Sequence, residues 1–416
     1  MQKSIRIILF FLVFGVLNLF GQHDEESRHQ GQNNEVRSSE AAHEEHEVEE
    51  FNVKNTIFHH IGNQNVFSVG SFSFPLPTIL YSPGQGWSVF SSGKFDIGHH
   101  GDGHNAIDGY VLSEGSVYRI ADKDFDREGV KHVVKIERGQ EMVDGKMKEV
   151  KYAYVEGQKY KLDARSTWDG GALGGGITSF YDFSITKNVI FMILTALLLF
   201  LLFKKIANDY VKNKGNAPKG VQSFFEPMII FVRDEVAKPF IGEKYTKYLP
   251  YLLAIFFFIL TLNLLGQIPF FGSVNTTGNL SVTLGLAVIA FFIVNISGRR
   301  NYWEHVFWMP GVPWWVKATI LTPIEFLGLF IKPFTLTLRL FANITAGHMV
   351  VLVFLGLIFI FGKSGTDVGG SVVGTLTAFP LVMFMMTLEI IVAFIQAFVF
   401  TMLVASYIGA AVEEHH

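Results

Sequence analysis

No cysteine occurs among the 416 residues. That absence excludes structural disulfides and thiolate metal sites. Charge is also scarce: Asp, Glu, Lys and Arg make up 17% of the chain and balance at −3. Such a balance gives no sign of a nucleic-acid partner. No Gly-rich loop closing on Lys-Ser/Thr is present, so the sequence offers no cradle for nucleotide phosphates. No cofactor and no metal centre are expected. What fills the chain instead is apolar: 49% hydrophobic residues, including 41 Phe. That composition suits a polytopic membrane protein with a soluble portion better than one large soluble domain.

The N-terminus has the pattern of a secretory signal over 1–21. Lys3 and Arg6 supply the charged end, Ile7 to Phe20 the short apolar run, and Gly21-Gln22 a cleavage point. Leu19 at −3 is a poor match for a small residue, and an uncleaved anchor helix is the alternative. Residues 22–50 are acidic and His-rich, as in His43-Glu44-Glu45-His46-Glu47, and cannot bury a core. A solvated tail explains His23, His29, His43 and His46 better than a metal site does. Residues 51–182 form an expected exported β-rich domain and linker. Alternating runs at Val133–Ile136 and Val150–Tyr154 predict strands, and Asp144-Gly145 and Glu156-Gly157 predict turns. His99, His100 and His104 lie in a Gly/Asp loop without distinctive metal spacing, and Gly170 to Gly176 reads as a linker.

Residues 183–416 carry the membrane signal. Ile185–Phe203 is long enough to cross a hydrocarbon core, which takes about 20 residues. Lys204, Lys205, Lys212, Lys214 and Lys219 follow it, which marks that end as cytoplasmic. Gln222–Phe240 is amphipathic and suited to the cytoplasmic interface. Leu249–Phe271 returns outward, the uncharged loop Gly272–Asn279 follows, and Leu280–Ser297 runs inward to Arg299-Arg300. Trp303, Trp308, Trp314 and Trp315 then form an interfacial band. Two long apolar tracts close the chain, Ile320–Phe361 and Ser371–Ala410. As a single helix the first would be roughly 63 Å long against a hydrocarbon core of about 30 Å. Each tract is either a hairpin broken at Pro323, Pro333 or Pro380, or one long, bent, tilted helix. The lack of turn chemistry in mid-tract favours the second. The expected fold is an all-α polytopic membrane protein of about five transmembrane helices, the last two long and tilted, with a small exported β-rich N-terminal domain.

Within these tracts stands Arg339, whose guanidinium costs at least roughly 2.5–3.5 kcal/mol in a membrane and cannot shed its proton. Asn343 is four residues on, and Thr335, Ala342 and Ala346 complete a slim face that invites a close partner helix. Glu325 lies 14 residues before Arg339 and His348 nine after it, on the opposite side of the helix. Glu389 on the last tract is a natural partner for His348, and Gln396 shares its face. Histidine and carboxylate transfer protons near neutral pH; arginine does not. Two titratable stations on either side of a fixed cation meet the requirement of two offset proton half-channels. A stand-alone secondary transporter would predict an internal repeat, and none is evident. A merely tethered exported binding module would leave the buried Arg, His and Glu unexplained.

The segment Lys332-Pro333, Leu338-Arg339-Leu340-Phe341-Ala342-Asn343 and Ala346-Gly347-His348, with Glu389 and Ile395-Gln396-Ala397-Phe398, resembles subunit a of F-type ATP synthases. Leu262–Pro269, Ser281–Leu284 and the ending Glu413-Glu414-His415 add to the likeness, which covers 183–416. The resemblance implies long tilted helices against a rotating ring of c subunits in a bacterial inner membrane, with stator b subunits and the other synthase subunits as partners. It implies a cytoplasmic C-terminus and ATP chemistry located in those partners. Arg339 matches the essential arginine, Asn343 its companion, His348 and Glu389 the exported-side proton pair, Gln396 the polar partner of the arginine, and Glu325 an acid of the cytoplasmic half-channel. The pair stands in the reverse order to that of some members, Ala342 replaces a common glycine, and the large 51–179 segment departs from shorter members.

Overall fold

The structure is a computed structural model that describes residues 65–69, 72–83, 85–97, 102–122, 124–143, 146–164, 180–268, 276–308, 313–362 and 367–413. Residues 1–50, expected to hold a signal and an acidic segment, His99, His100, the expected turn at Asp144-Gly145, the expected linker at Gly170–Gly176, residues 272–275 and Glu414-His415 lie outside those residues. The chain divides into two compact units, one holding 62–190 and the other mainly 191–268 and 274–416.

The first unit is built of antiparallel strands. Strands β1 (Val66–Val69) and β2 (Phe72–Pro75) pair with each other. β3 (Pro77–Ser82) and β4 (Gly86–Ser91) pair, and the short β11 (Tyr181–Asp182) joins the other side of β3. The remaining six close a barrel in the order β10-β7-β6-β5-β8-β9. They are β5 (Asn105–Ile107), β6 (Tyr110–Ser113), β7 (Ser116–Ile120), β8 (Val130–Val143), β9 (Lys146–Val155) and β10 (Gln158–Asp163). Among the described residues, three of the connections are two-residue turns: Asp108-Gly109, Glu114-Gly115 and Glu156-Gly157. In each both residues have positive φ, the conformation that matches the right-handed twist of the flanking strands. The pleat divides the core in two. Val111 faces the barrel interior with Ile120, Val133, Ala153 and Leu162. Its neighbours Tyr110 and Leu112 face the other way, onto Leu80 and Phe90 of the small sheet and Phe180.

The second unit is helical. Helix α1 (Lys187–Lys212) spans both units in sequence and continues nine residues past Phe203, because the lysines after it are good helix formers. α2 (Val221–Phe231) passes through a π-helical turn at Val232–Ala237 and short turns to Lys244, then leads into α3 (Tyr245–Gly266). α4 (Leu280–Ser297) and α5 (Arg300–Trp308) follow. α6 (Thr322–Phe361) is a single helix with Pro333 inside it, and α7 (Val368–Val412) is a single helix around Pro380. The hairpin alternative for the last two tracts is thus not adopted. At about 60 and 67 Å, each is twice the hydrocarbon thickness. Among the described residues, five helical stretches are long and apolar enough to cross a membrane. α3, α4, α6 and α7 pack around one core, to which they contribute Leu252 and Phe256, Ala290, Leu340, and Ala397 and Phe400.

Candidate functional site: polar layers on the two long helices

An all-apolar helix needs internal partners for every polar group it carries. Several threonines of α6 and α7 find theirs one turn back: Thr337 donates to the Pro333 carbonyl at 2.9 Å and Thr401 to the Ala397 carbonyl at 2.8 Å. The chemistry-bearing residues do not, and they collect at two levels with Arg339 between.

Glycine sets the register of the two helices. A Cβ on Gly374 would lie 3.0 Å from the Ile358 Cα, and one on Gly347 would lie 2.7 Å from Glu389 Oε1. The absent side chain at Gly347 therefore lets α6 close onto Glu389, one residue from His348. Further along, the Lys332 ammonium sits 5.3 Å from the Tyr407 ring centre. Arg339 lies midway between these two contacts, level with the part of α7 that begins at Gln396. His348 and Glu389 share a level, although no hydrogen bond joins them among the described residues.

The Glu389 layer is completed by α3. Gln267 donates through Nε2 to the Glu389 carbonyl at 2.9 Å, and Asn263 donates through Nδ2 to the Ala393 carbonyl at 3.4 Å. Glu389 Oε1 and Asn263 Oδ1 are buried acceptors without a donor among the described residues. Thr345 on α6 adds a hydroxyl that reaches the Gly278 carbonyl at 3.4 Å. Gln396, seven residues beyond Glu389, is buried.

At Arg339 the helix has two unlike sides. Leu336, Thr337, Leu340 and Ile344 are buried, whereas Ala342, Asn343 and Ala346 are exposed and Arg339 is half-buried. Among the described residues no carboxylate pairs with Arg339. The chain thus leaves a slim, small-residue surface around a cation.

The second layer lies toward the start of α6. Glu325 is close enough to Tyr302 to act on its phenol, which is pushed up first by burial and then by that carboxylate. Tyr302 donates to Asn295 Oδ1 at 3.3 Å, and Asn295 Nδ2 donates to the Phe291 carbonyl at 2.7 Å. Asn295, Tyr302, Lys332 and Tyr407 are among the residues that line a mostly apolar cavity of about 20 Å³. Roughly 10–15 Å³ suffices for one water. Tyr407 in turn is within electrostatic reach of Arg339. Glu325 and Arg339 do not line the cavity; each reaches one of its tyrosines electrostatically, Glu325 through Tyr302 and Arg339 through Tyr407.

The sequence model of the ATP synthase A chain family matches residues 189–409, more than half of the chain. The chain belongs to the ATP synthase A chain family. It is similar to the ATP synthase subunit a of Chlorobium phaeobacteroides (strain BS1), with 46% identity over 237 residues, 55% of this chain and 66% of that relative. It shares 44% identity over 239 residues with ATP synthase subunit a 2 of Chlorobaculum tepidum, covering 56% of this chain and 64% of the relative. With the Chloroherpeton thalassium subunit a it shares 43% over 243 residues, covering 56% and 69%. The chain thus spans just under two thirds of the length of the first two. A second model, described as a domain of unknown function (DUF8433), matches residues 56–144, most of which lie in the strand-rich unit.

All six residues singled out in the sequence lie on the two long helices of this family member. Sequence reasoning did not name Lys332 and Tyr407 as site residues, and it missed Asn263, Gln267, Asn295 and Tyr302 as members of the layers. Two of these carried a signal: Lys332 is two helical turns before Arg339, and Tyr407 is three turns after Gln396, each on its partner's face. Asn295 and Tyr302 join the lower layer only through packing of α4 and α5, which no single-helix periodicity encodes. His104, set aside as a loop residue, lies 3.6 Å from Asp96 on an exposed surface.

Proposed function

We propose that this protein is the proton-translocating subunit a of an F-type ATP synthase, seated in a bacterial inner membrane with its β-rich unit exported and its C-terminus cytoplasmic. The observation that carries the reading is Arg339, which no carboxylate pairs among the described residues, on an exposed small-residue face, with a titratable polar layer along the helix on either side. A proton enters from the exported side through the layer of His348, Glu389, Gln267 and Asn263. It neutralises a carboxylate on a c subunit of the ring, which then turns into lipid. Arriving at the other layer, that carboxylate releases its proton past Tyr407, Tyr302 and Glu325 to the cytoplasm. Arg339 favours the ionised carboxylate through opposite charge, and a fixed cation repels a proton that would pass directly between the layers. Asn343 and Gln396 flank it as polar companions. The membrane potential drives this transfer with about 2.3 kcal/mol per charge per 100 mV. Stator b subunits hold the chain against the ring, and ATP chemistry belongs to other subunits.

The test is Arg339→Ala in vesicles carrying the whole complex, with ATP-driven acidification and passive proton flux measured together. Coupled pumping is lost and a leak opens. Normal coupled pumping in that variant would overturn the proposal.

A further inference from the structure

The small sheet of the strand-rich unit exposes an apolar face that no described part of the chain covers. Cross-strand register sets two rows on it: Tyr181, Tyr81 and Trp87 in one, and Phe183, Ile79 and Val89 in the other. Trp87 is 62% exposed, Val89 68% and Phe183 57%, while the opposite face buries Leu80 and Phe90. The Trp87 ring lies 5.0 Å from Tyr81 and 5.6 Å from Phe183, so the aromatics form one patch. Contiguous exposed patches of this kind mark interaction surfaces.

We infer that this face lies in the headgroup layer of the membrane that α1 enters. The argument is one of tether length. Past β11 the chain stays bonded to β3: Phe183 N–H donates to the Ile79 carbonyl at 2.9 Å and Ile185 N–H to the Pro77 carbonyl at 3.1 Å. The Ile79 N–H also donates to Ser184 Oγ at 3.0 Å. Helix α1 begins at Lys187, two residues after the last of these bonds. Two extended residues reach about 7 Å. The headgroup layer on each side of the hydrocarbon core is itself roughly 5–8 Å thick. The sheet is therefore held within one headgroup thickness of the start of a candidate span. Trp and Tyr are the side chains that favour that layer, because their rings are apolar and their N–H or O–H remains hydrated. This inference needs only that α1 crosses a membrane. It is independent of the proton route.

Because the chain has no cysteine, one introduced thiol reports one place. A nitroxide is attached to Val89→Cys in the full-length chain, which is then reconstituted into phosphatidylethanolamine–phosphatidylglycerol vesicles. The same label at Glu128→Cys, on the exposed loop between β7 and β8, serves as the aqueous reference. Collision with oxygen, which concentrates in lipid, is compared with collision with a water-soluble nickel chelate. The expected result is a loss of chelate access at Val89→Cys with oxygen access retained, and ready chelate access at Glu128→Cys. Equal chelate access at both sites overturns the inference, since the face is then in water. Protection from both reagents overturns it too, since a protein partner then covers the face. Val89 points outward, so its replacement leaves the core intact, and Phe183→Cys in the second row gives the same reading independently.

Discussion

At the scale of single residues, Glu389 and Arg339 are expected to fail in opposite ways. Glu389 is a proton carrier in the proposed route, and its Oε1 faces a close helix contact at Gly347 rather than a donor. Glu389→Gln keeps the shape and removes the titratable oxygen. Positioned proton-transfer groups contribute about 10²–10⁴-fold, so ATP-driven pumping by the complex is expected to fall by about 10²-fold or more. Passive flux stays low, because the Arg339 barrier is untouched. A leak in Glu389→Gln vesicles would show that the two residues do not have separate roles. Gly347→Ala is the milder probe. Its Cβ would sit 2.7 Å from Oε1, and since the carboxylate end can swing aside, the expected outcome is slowed pumping rather than lost assembly.

At the scale of elements, the approach of α6 and α7 depends on what glycine leaves out. A side chain at Gly374 meets backbone, with the Ile358 Cα at 3.0 Å and the Leu357 carbonyl oxygen at 3.2 Å, and backbone cannot turn away. Gly374→Leu is expected to cost about 1–3 kcal/mol, the usual range for overpacking, and to lower the thermal midpoint of the purified chain followed by circular dichroism. Gly328, which has open space around its Cβ position, is the control: Gly328→Ala removes a poor helix former at no steric cost and stabilises by up to about 1 kcal/mol. A loss at Gly328→Ala as large as that at Gly374→Leu would mean that close approach at Gly374 is not the source of the cost. The same elements show what was legible beforehand. Continuous helices were readable from the missing turn chemistry around Pro333 and Pro380, and the Arg339 face from small residues at helical spacing. The two polar layers were half readable. His348, Glu389 and Glu325 stand out as charges in apolar runs, but Asn263, Gln267, Asn295 and Tyr302 sit on other helices, and single-chain periodicity is blind to which helices meet. In the strand-rich unit the Glu156-Gly157 turn was visible, whereas barrel closure depends on pairing β10 with β7 across some forty residues.

At the scale of the whole molecule, the buried cluster among the helices shares no residue, among the described residues, with the two among the strands. They are expected to respond differently to acid. Glu114, in a turn of the barrel, is held by Arg138 and by Lys151 at 3.0 Å. Burial pushes its carboxyl up, but the hydrogen bonds from Arg138 and Lys151 outweigh that and hold it below the usual range. A carboxylate with a lowered folded pKa stabilises the fold fully above the ordinary glutamate range. That contribution is lost as pH falls through the lowered value. Since the Glu114 side chain is 36% exposed, screening limits it to about 1 kcal/mol. Thermal unfolding of the full-length chain, with the strand signal followed separately from the helical one, is expected to show the barrel transition moving down as pH drops below the carboxylate range. Glu114→Gln lowers that transition at neutral pH and removes part of its acid dependence, while the helical transition stays where it was. If the variant and the natural chain keep the same gap at neutral and acid pH, the three-residue clamp does not contribute to the acid response of the barrel.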